Sequence, residues 1–136
     1  MLQRIVAISF LALSTNVIAA DHHFFVQMEN ISQKDVTLSF RQVEGNVSLS
    51  PILEDGTKLS INQKSVPYAV SIVPLDPKAN YNIIFKGEKD CQFNVGFYAA
   101  GRPRVTMQGL GCLGSGAKIT NQGTTLLLYV SDINRK

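Results

Sequence analysis

From residue 24 onward the apolar positions recur every second residue. Val36, Leu38 and Phe40 alternate with Thr37, Ser39 and Arg41. Tyr81, Ile83 and Phe85 share one face of a second run, and Cys91, Phe93, Val95 and Phe97 oppose Gln92, Asn94 and Tyr98 in a third. Tyr68, Val70 and Ile72, Val105 and Met107, and Leu126, Leu128 and Val130 repeat the pattern. Period two is the mark of half-buried antiparallel strands, whose successive side chains point to opposite faces. No stretch carries a helical stripe of useful length.

Turn-forming clusters separate the runs: Gly45-Asn46, Glu54-Asp55-Gly56, Pro74-Leu75-Asp76-Pro77, Ala100-Gly101-Arg102-Pro103 and Asn121-Gln122-Gly123. The spacing predicts strands near 23–29, 34–42, 47–53, 57–61, 66–73, 79–86, 91–99, 103–108 and 124–131. Such a succession predicts an all-β fold, a single antiparallel β-sandwich, Ig-like or jelly-roll-like, of about 8–9 short strands. Phe93, Val95 and Phe97 are expected to point inward, beneath Val36, Leu38 and Phe40. Gln92 and Asn94 are expected outside, where truncation to Ala would be nearly silent.

The first 20 residues depart from this pattern. Arg4 precedes an apolar run, 5–13, and the small residues Ala19-Ala20 precede Asp21. A basic start, a short apolar centre and a small-residue end predict a secretory signal peptide over 1–20, removed to leave one domain over 21–136. The run is too short to span a bilayer, which takes ~20 apolar residues, so no transmembrane segment is expected. The predicted location is secreted or periplasmic.

Charge adds little. Of 13 basic residues only Arg4 precedes the expected cut, and all 10 acidic residues follow it, so 12 bases face 10 acids and the mature charge is +2. The charges are interspersed singly, with no basic run or face, which argues against nucleic acid as a partner.

Both cysteines, Cys91 and Cys112, lie beyond the cut. An even pair in an exported chain predicts one disulfide, closing a loop of about 20 residues and contributing roughly 3 kcal/mol on the chain-entropy account. The Gly-rich segment 109–118 satisfies G-x-G-x-x-G at Gly109, Gly111 and Gly114, but no helix pattern follows to meet a pyrophosphate. Ala117 separates Gly116 from Lys118, which puts the lysine out of register for a phosphate loop. The segment is expected to be a flexible loop that lets Cys112 reach Cys91.

Catalytic constellations are absent from the pattern. The only histidines, His22 and His23, stand at the start of the mature chain, and no carboxylate falls within an inward face. A non-enzymatic function is expected. Asp21-His22-His23 does carry one sharp chemistry. With cleavage after Ala20, a free amine, two backbone amides and the His23 imidazole can wrap a square-planar ion; cleavage after Ala19 puts His22 in that role. This nitrogen set selects Cu(II) or Ni(II). Over these three residues the chain resembles the amino-terminal copper- and nickel-binding motif of serum albumins. Two N-x-S sequences, Asn30-Ile31-Ser32 and Asn46-Val47-Ser48, match the glycan acceptor pattern.

The resulting expectation is an exported, non-catalytic binding protein for a protein or glycan partner, of the kind a bacterium secretes to act on a host or cell surface. Recognition is expected on loops, which vary without disturbing a core. The candidate loops are 100–104 and 109–118, with Arg102, Arg104, Leu110, Leu113 and Lys118 as contact residues. The alternatives are a copper or nickel carrier using residues 21–23 and a secreted enzyme inhibitor presenting the disulfide loop.

Overall fold

The computed structural model describes residues 25–97, 103–120 and 123–131. Eleven strands and one short 3-10 turn, with no α-helix, make up the elements of these residues. They are β1 (Phe25–Ile31), β2 (Val36–Glu44), β3 (Val47–Ser50), β4 (Thr57–Leu59), β5 (Gln63–Lys64), β6 (Tyr68–Ile72), β7 (Asn80–Lys86), β8 (Cys91–Phe97), β9 (Pro103–Gln108), β10 (Gly116–Thr120) and β11 (Thr125–Ser131). The 3-10 turn, Leu110–Cys112, lies between β9 and β10.

Two sheets enclose one core. A five-stranded sheet runs β9-β8-β7-β2-β4, and a six-stranded sheet runs β10-β11-β1-β6-β3, with β5 also pairing β1. Alternation decides which side chains enter. Leu38, Tyr81, Ile83, Phe85, Cys91, Phe93 and Val95 come from the first sheet, and Val26, Met28, Tyr68, Val70, Leu126, Leu128 and Val130 from the second. Phe85 and Phe93 meet edge-on at 5.4 Å between ring centres, a favoured aromatic geometry.

The all-β class and the disulfide follow expectation; several details do not. Eleven strands replace about nine, because β5 and β10 fall where loops were expected. In β10, Ala117 and Ile119 do alternate with Gly116, Lys118 and Thr120, but the glycines around them mask the period. The six-stranded sheet is mixed rather than antiparallel: β11 lies parallel to β1, from Thr125 beside Phe25 to Ser131 beside Ile31. Such a pairing between the first and last of the described strands has no local turn to announce it. Finally, β8 and β2 share a sheet, with β7 between them. Phe93 and Val95 therefore lie in the same sheet as Leu38, one strand removed, rather than beneath it, and Phe97 is only half-buried.

Two polar clusters fix the frame. Asn30 is wholly buried on β1. Its Nδ2 donates to the Lys34 carbonyl at 2.8 Å and to the Leu59 carbonyl at 3.1 Å. Its Oδ1 accepts from the Ser32 N–H at 2.9 Å and the Ser32 hydroxyl at 2.6 Å. On the outer face of the other sheet, Asn94 donates to Asn82 Oδ1 at 2.9 Å and to Asn80 Oδ1 at 3.1 Å. Asn94 is thus half-buried and bonded across strands, unlike the free surface residue expected.

Candidate functional site

At one end of the molecule three connections converge: the turn between β1 and β2, the turn between β7 and β8, and the segment from β9 to β10. They enclose an open cleft of about 340 Å³ whose lining includes Val36, Phe85, Cys91, Leu110, Leu113 and Val130. Lys34 and Glu88 face each other on its rim, Nζ to Oε2 3.3 Å apart and both well exposed. Asp35 is held similarly by Lys58 at 3.3 Å. Paired in this way, the rim favours neither sign of ligand, and such surface pairs contribute little stability.

The disulfide sets the geometry. Cys91 and Cys112 are bonded, with Cα atoms 4.7 Å apart. Cys91 begins β8 inside the core, so the bond ties the 3-10 turn to a rigid strand. Two glycines complete the attachment. Gly109 has φ +125°, a conformation L side chains rarely adopt, and a Cβ there would overlap the Asp90 carbonyl oxygen. A Cβ on Gly111 would overlap the Lys89 carbonyl oxygen, and the Gly111 N–H donates to Asp90 O at 3.0 Å. Cys112 N–H to Gly109 O at 3.2 Å and Ser115 N–H to Cys112 O at 2.9 Å close the turn. The glycines are present for close backbone approach, so the expected flexible loop is instead clamped against the β7–β8 turn.

The clamp displays two apolar side chains. Leu110 is 74% exposed and Leu113 56% exposed. These two of the five expected contact residues lie together. Arg104 does not join them: it is the second residue of β9, and the four steps from it to Gln108 at the strand's end span roughly 13 Å, at ~3.3 Å per residue. Lys118 lies within β10, opposite Leu127, rather than in a loop. Arg102 and the metal-binding candidates Asp21, His22 and His23 fall outside the described residues. Among the described residues, no group of three or more His, Cys, Asp or Glu side chains could hold a metal ion. Nor is there, among them, a helix long and apolar enough to cross a membrane.

Sequence reasoning missed Lys34, Phe85 and Glu88 as cleft residues. The available signal was Cys91: whatever Cys112 approaches must also approach the turn preceding Cys91. Of the two acceptor sequences, Asn30 has its amide committed in the core, so that Asn-x-Ser is structural. Asn46 is exposed on the β2–β3 turn and donates to Val73 O at 2.9 Å.

Compared with models of known protein families and with curated proteins, the chain matches none.

Proposed function

We propose that this chain is an exported, secreted or periplasmic, non-catalytic binding protein with a β-sandwich plan, Ig-like or jelly-roll-like, whose first 20 residues serve as a signal peptide. Its recognition element is the clamped 109–113 turn, with Leu110 and Leu113 as contacts and the adjoining cleft as receptor for a partner side chain. The observation that carries this reading is the display of two exposed leucines on a turn fixed by a disulfide and two close-approach glycines. A preorganised loop loses little conformational entropy on binding, and apolar anchors gain by leaving water. A protein partner fits this surface better than a glycan, because leucines offer a sugar's hydroxyls no hydrogen bonds.

The test places a photo-crosslinking residue at Leu110, identifies the captured protein, and measures its affinity in purified form. Leu110→Asp combined with Leu113→Asp should weaken that binding about tenfold or more, as loss of apolar anchors does. Arg104→Ala and Lys118→Ala should not change it. Equal affinity for the double variant and the parent would overturn the assignment.

The clamp also favours a second reading, an enzyme inhibitor that presents the same turn. High glycine content counts against an inhibitory loop only where it leaves the loop loose. Inhibition of a secreted protease, lost with Gly111→Val, distinguishes this reading. The copper or nickel alternative rests on residues 21–23 alone and draws no support from any described side chain.

A further inference from the structure

The two long sides of the molecule are finished differently. On one, the segment from 51 to 56 passes from β3, an edge of the six-stranded sheet, to β4, an edge of the five-stranded sheet, and drops Leu53 into the core. On the other side β9 and β10 are the edges, and the chain crosses between them only at the end that holds the disulfide. The seam left open is a groove of about 480 Å³ lined by Val105, Met107, Ala117, Ile119 and Leu126 among others. Val105 and Met107 stand opposite Val95 and Phe93, and therefore face the core side of their sheet. Even so, Met107 is 46% exposed and Ile119 47% exposed, because nothing among the described residues covers the seam.

Open edges are normally blunted by shortness, proline or lysine, since their unpaired backbone groups accept another strand. β4 has three residues; β3 has four and is followed by Pro51. β10 carries Lys118 at its centre. β9 is the exception. It is six residues long, and Pro103 and Arg104 stand only at its beginning.

We infer that β9 is a homodimerisation edge, pairing antiparallel with β9 of a second copy about a two-fold axis at Thr106. The second copy is the fitting occupant because β9 is complementary to itself. A two-fold pairing that keeps the core faces continuous must set inward residues against inward ones. Centred on Thr106, it places Val105 opposite the second copy's Met107, Thr106 opposite Thr106, and Arg104 opposite Gln108. Apolar meets apolar, hydroxyl meets hydroxyl, and no like charges face each other, which is the pattern that stabilises cross-strand pairs. The same operation on β10 would set Lys118 against Lys118. Dimerisation extends each five-stranded sheet into one of ten strands and covers the exposed side of Met107.

A residue on a two-fold axis faces its own copy, which gives a specific test. The oxidised protein is examined by light scattering during size-exclusion chromatography over a concentration series, alone and with charge variants. Thr106 is exposed on the outer face, so Thr106→Lys and Thr106→Asp should fold and melt as the parent does. The parent mass should double with concentration. Each variant alone should remain monomeric, and an equimolar mixture of the two should recover the dimer. A parent that stays monomeric to its solubility limit overturns the inference and leaves the seam to a foreign strand. So does a dimer that both variants leave intact, because its interface must then lie elsewhere.

Discussion

Asn30 on β1 donates to the carbonyl of Leu59 on β4, a 3.1 Å hydrogen bond that joins one sheet to the other at the cleft end of the core. The same amide holds the turn that carries Lys34 to the cleft rim. A single buried side chain thus links the two sheets to each other and to the turn on the rim of the candidate site. Asn30→Ala takes the Nδ2 donor from the buried Leu59 carbonyl and the Oδ1 acceptor from the Ser32 N–H. It should cost about 2–4 kcal/mol, since each unsatisfied buried group costs roughly 1–3. Ser32→Ala destroys the acceptor sequence equally well but keeps the Ser32 N–H bond to Asn30 Oδ1 and removes only the hydroxyl's bonds to Asn30 Oδ1 and to the exposed Lys34 backbone, for about 1 kcal/mol. Urea denaturation of the two variants measures the difference; equal losses would contradict the role given to Asn30 Nδ2.

The two faces of β8 give a graded series. Phe93→Ala empties a fully buried site against Phe85 and should cost about 3–5 kcal/mol. Phe97→Ala should cost distinctly less, because Phe97 is half-buried near the strand's end. Asn94→Ala breaks the bonds to Asn80 and Asn82 and should cost about 1–2 kcal/mol, whereas Gln92→Ala should be nearly silent. Chemical denaturation orders the four, and an Asn94 variant as stable as the Gln92 variant would show that the amide network contributes nothing.

Burial pushes the Tyr81 hydroxyl well above its ordinary range, and desolvation raises Tyr68 in the same direction. In the folded state both phenols therefore hold their protons at a pH where an unfolded chain begins to release them, near 10. The folded form then binds more protons than the unfolded, so stability is full below about pH 10 and falls as pH rises above it. An alkaline titration followed by tyrosinate absorbance should show Tyr81 ionising only as the protein unfolds. Normal titration of all tyrosines in a protein that is still folded would contradict its placement in the core.

Iodoacetamide should label neither Cys91 nor Cys112 in denatured, unreduced protein, and replacing both with Ala should lower stability by roughly 2–4 kcal/mol. Thiol labelling before reduction would refute the bond.

How much of this was legible in the sequence depends on whether the signal is local. Val36, Leu38 and Phe40, or Phe93 and Val95, declare a strand and its buried face through period two alone, and Gly45-Asn46 declares a turn. Cys91 and Cys112 paired by arithmetic. What stayed hidden required partners distant in the chain. The parallel alignment of β11 with β1 has no turn to mark it, and Asn30 reads as a surface acceptor until Leu59 arrives beside it. The glycines misled in a specific way: Gly109 and Gly111 suggest looseness in isolation, but against Lys89 and Asp90 they permit a contact that no larger residue could make. Arg104 and Leu110 are six positions apart, close enough in sequence to suggest one surface, yet an extended strand carries them to opposite ends.

The proposed binding role rests on the 109–113 turn being fixed before any partner arrives, and amide hydrogen exchange of the free protein tests this most directly. The Gly111 N–H, bonded to Asp90 O, should exchange slowly, at rates approaching those of the β8 amides. Gly111→Ala should abolish that protection while leaving the β8 amides protected, because the added methyl group meets the Lys89 carbonyl oxygen. Exchange of Gly111 in the parent protein at the rate of an unstructured glycine would contradict the account.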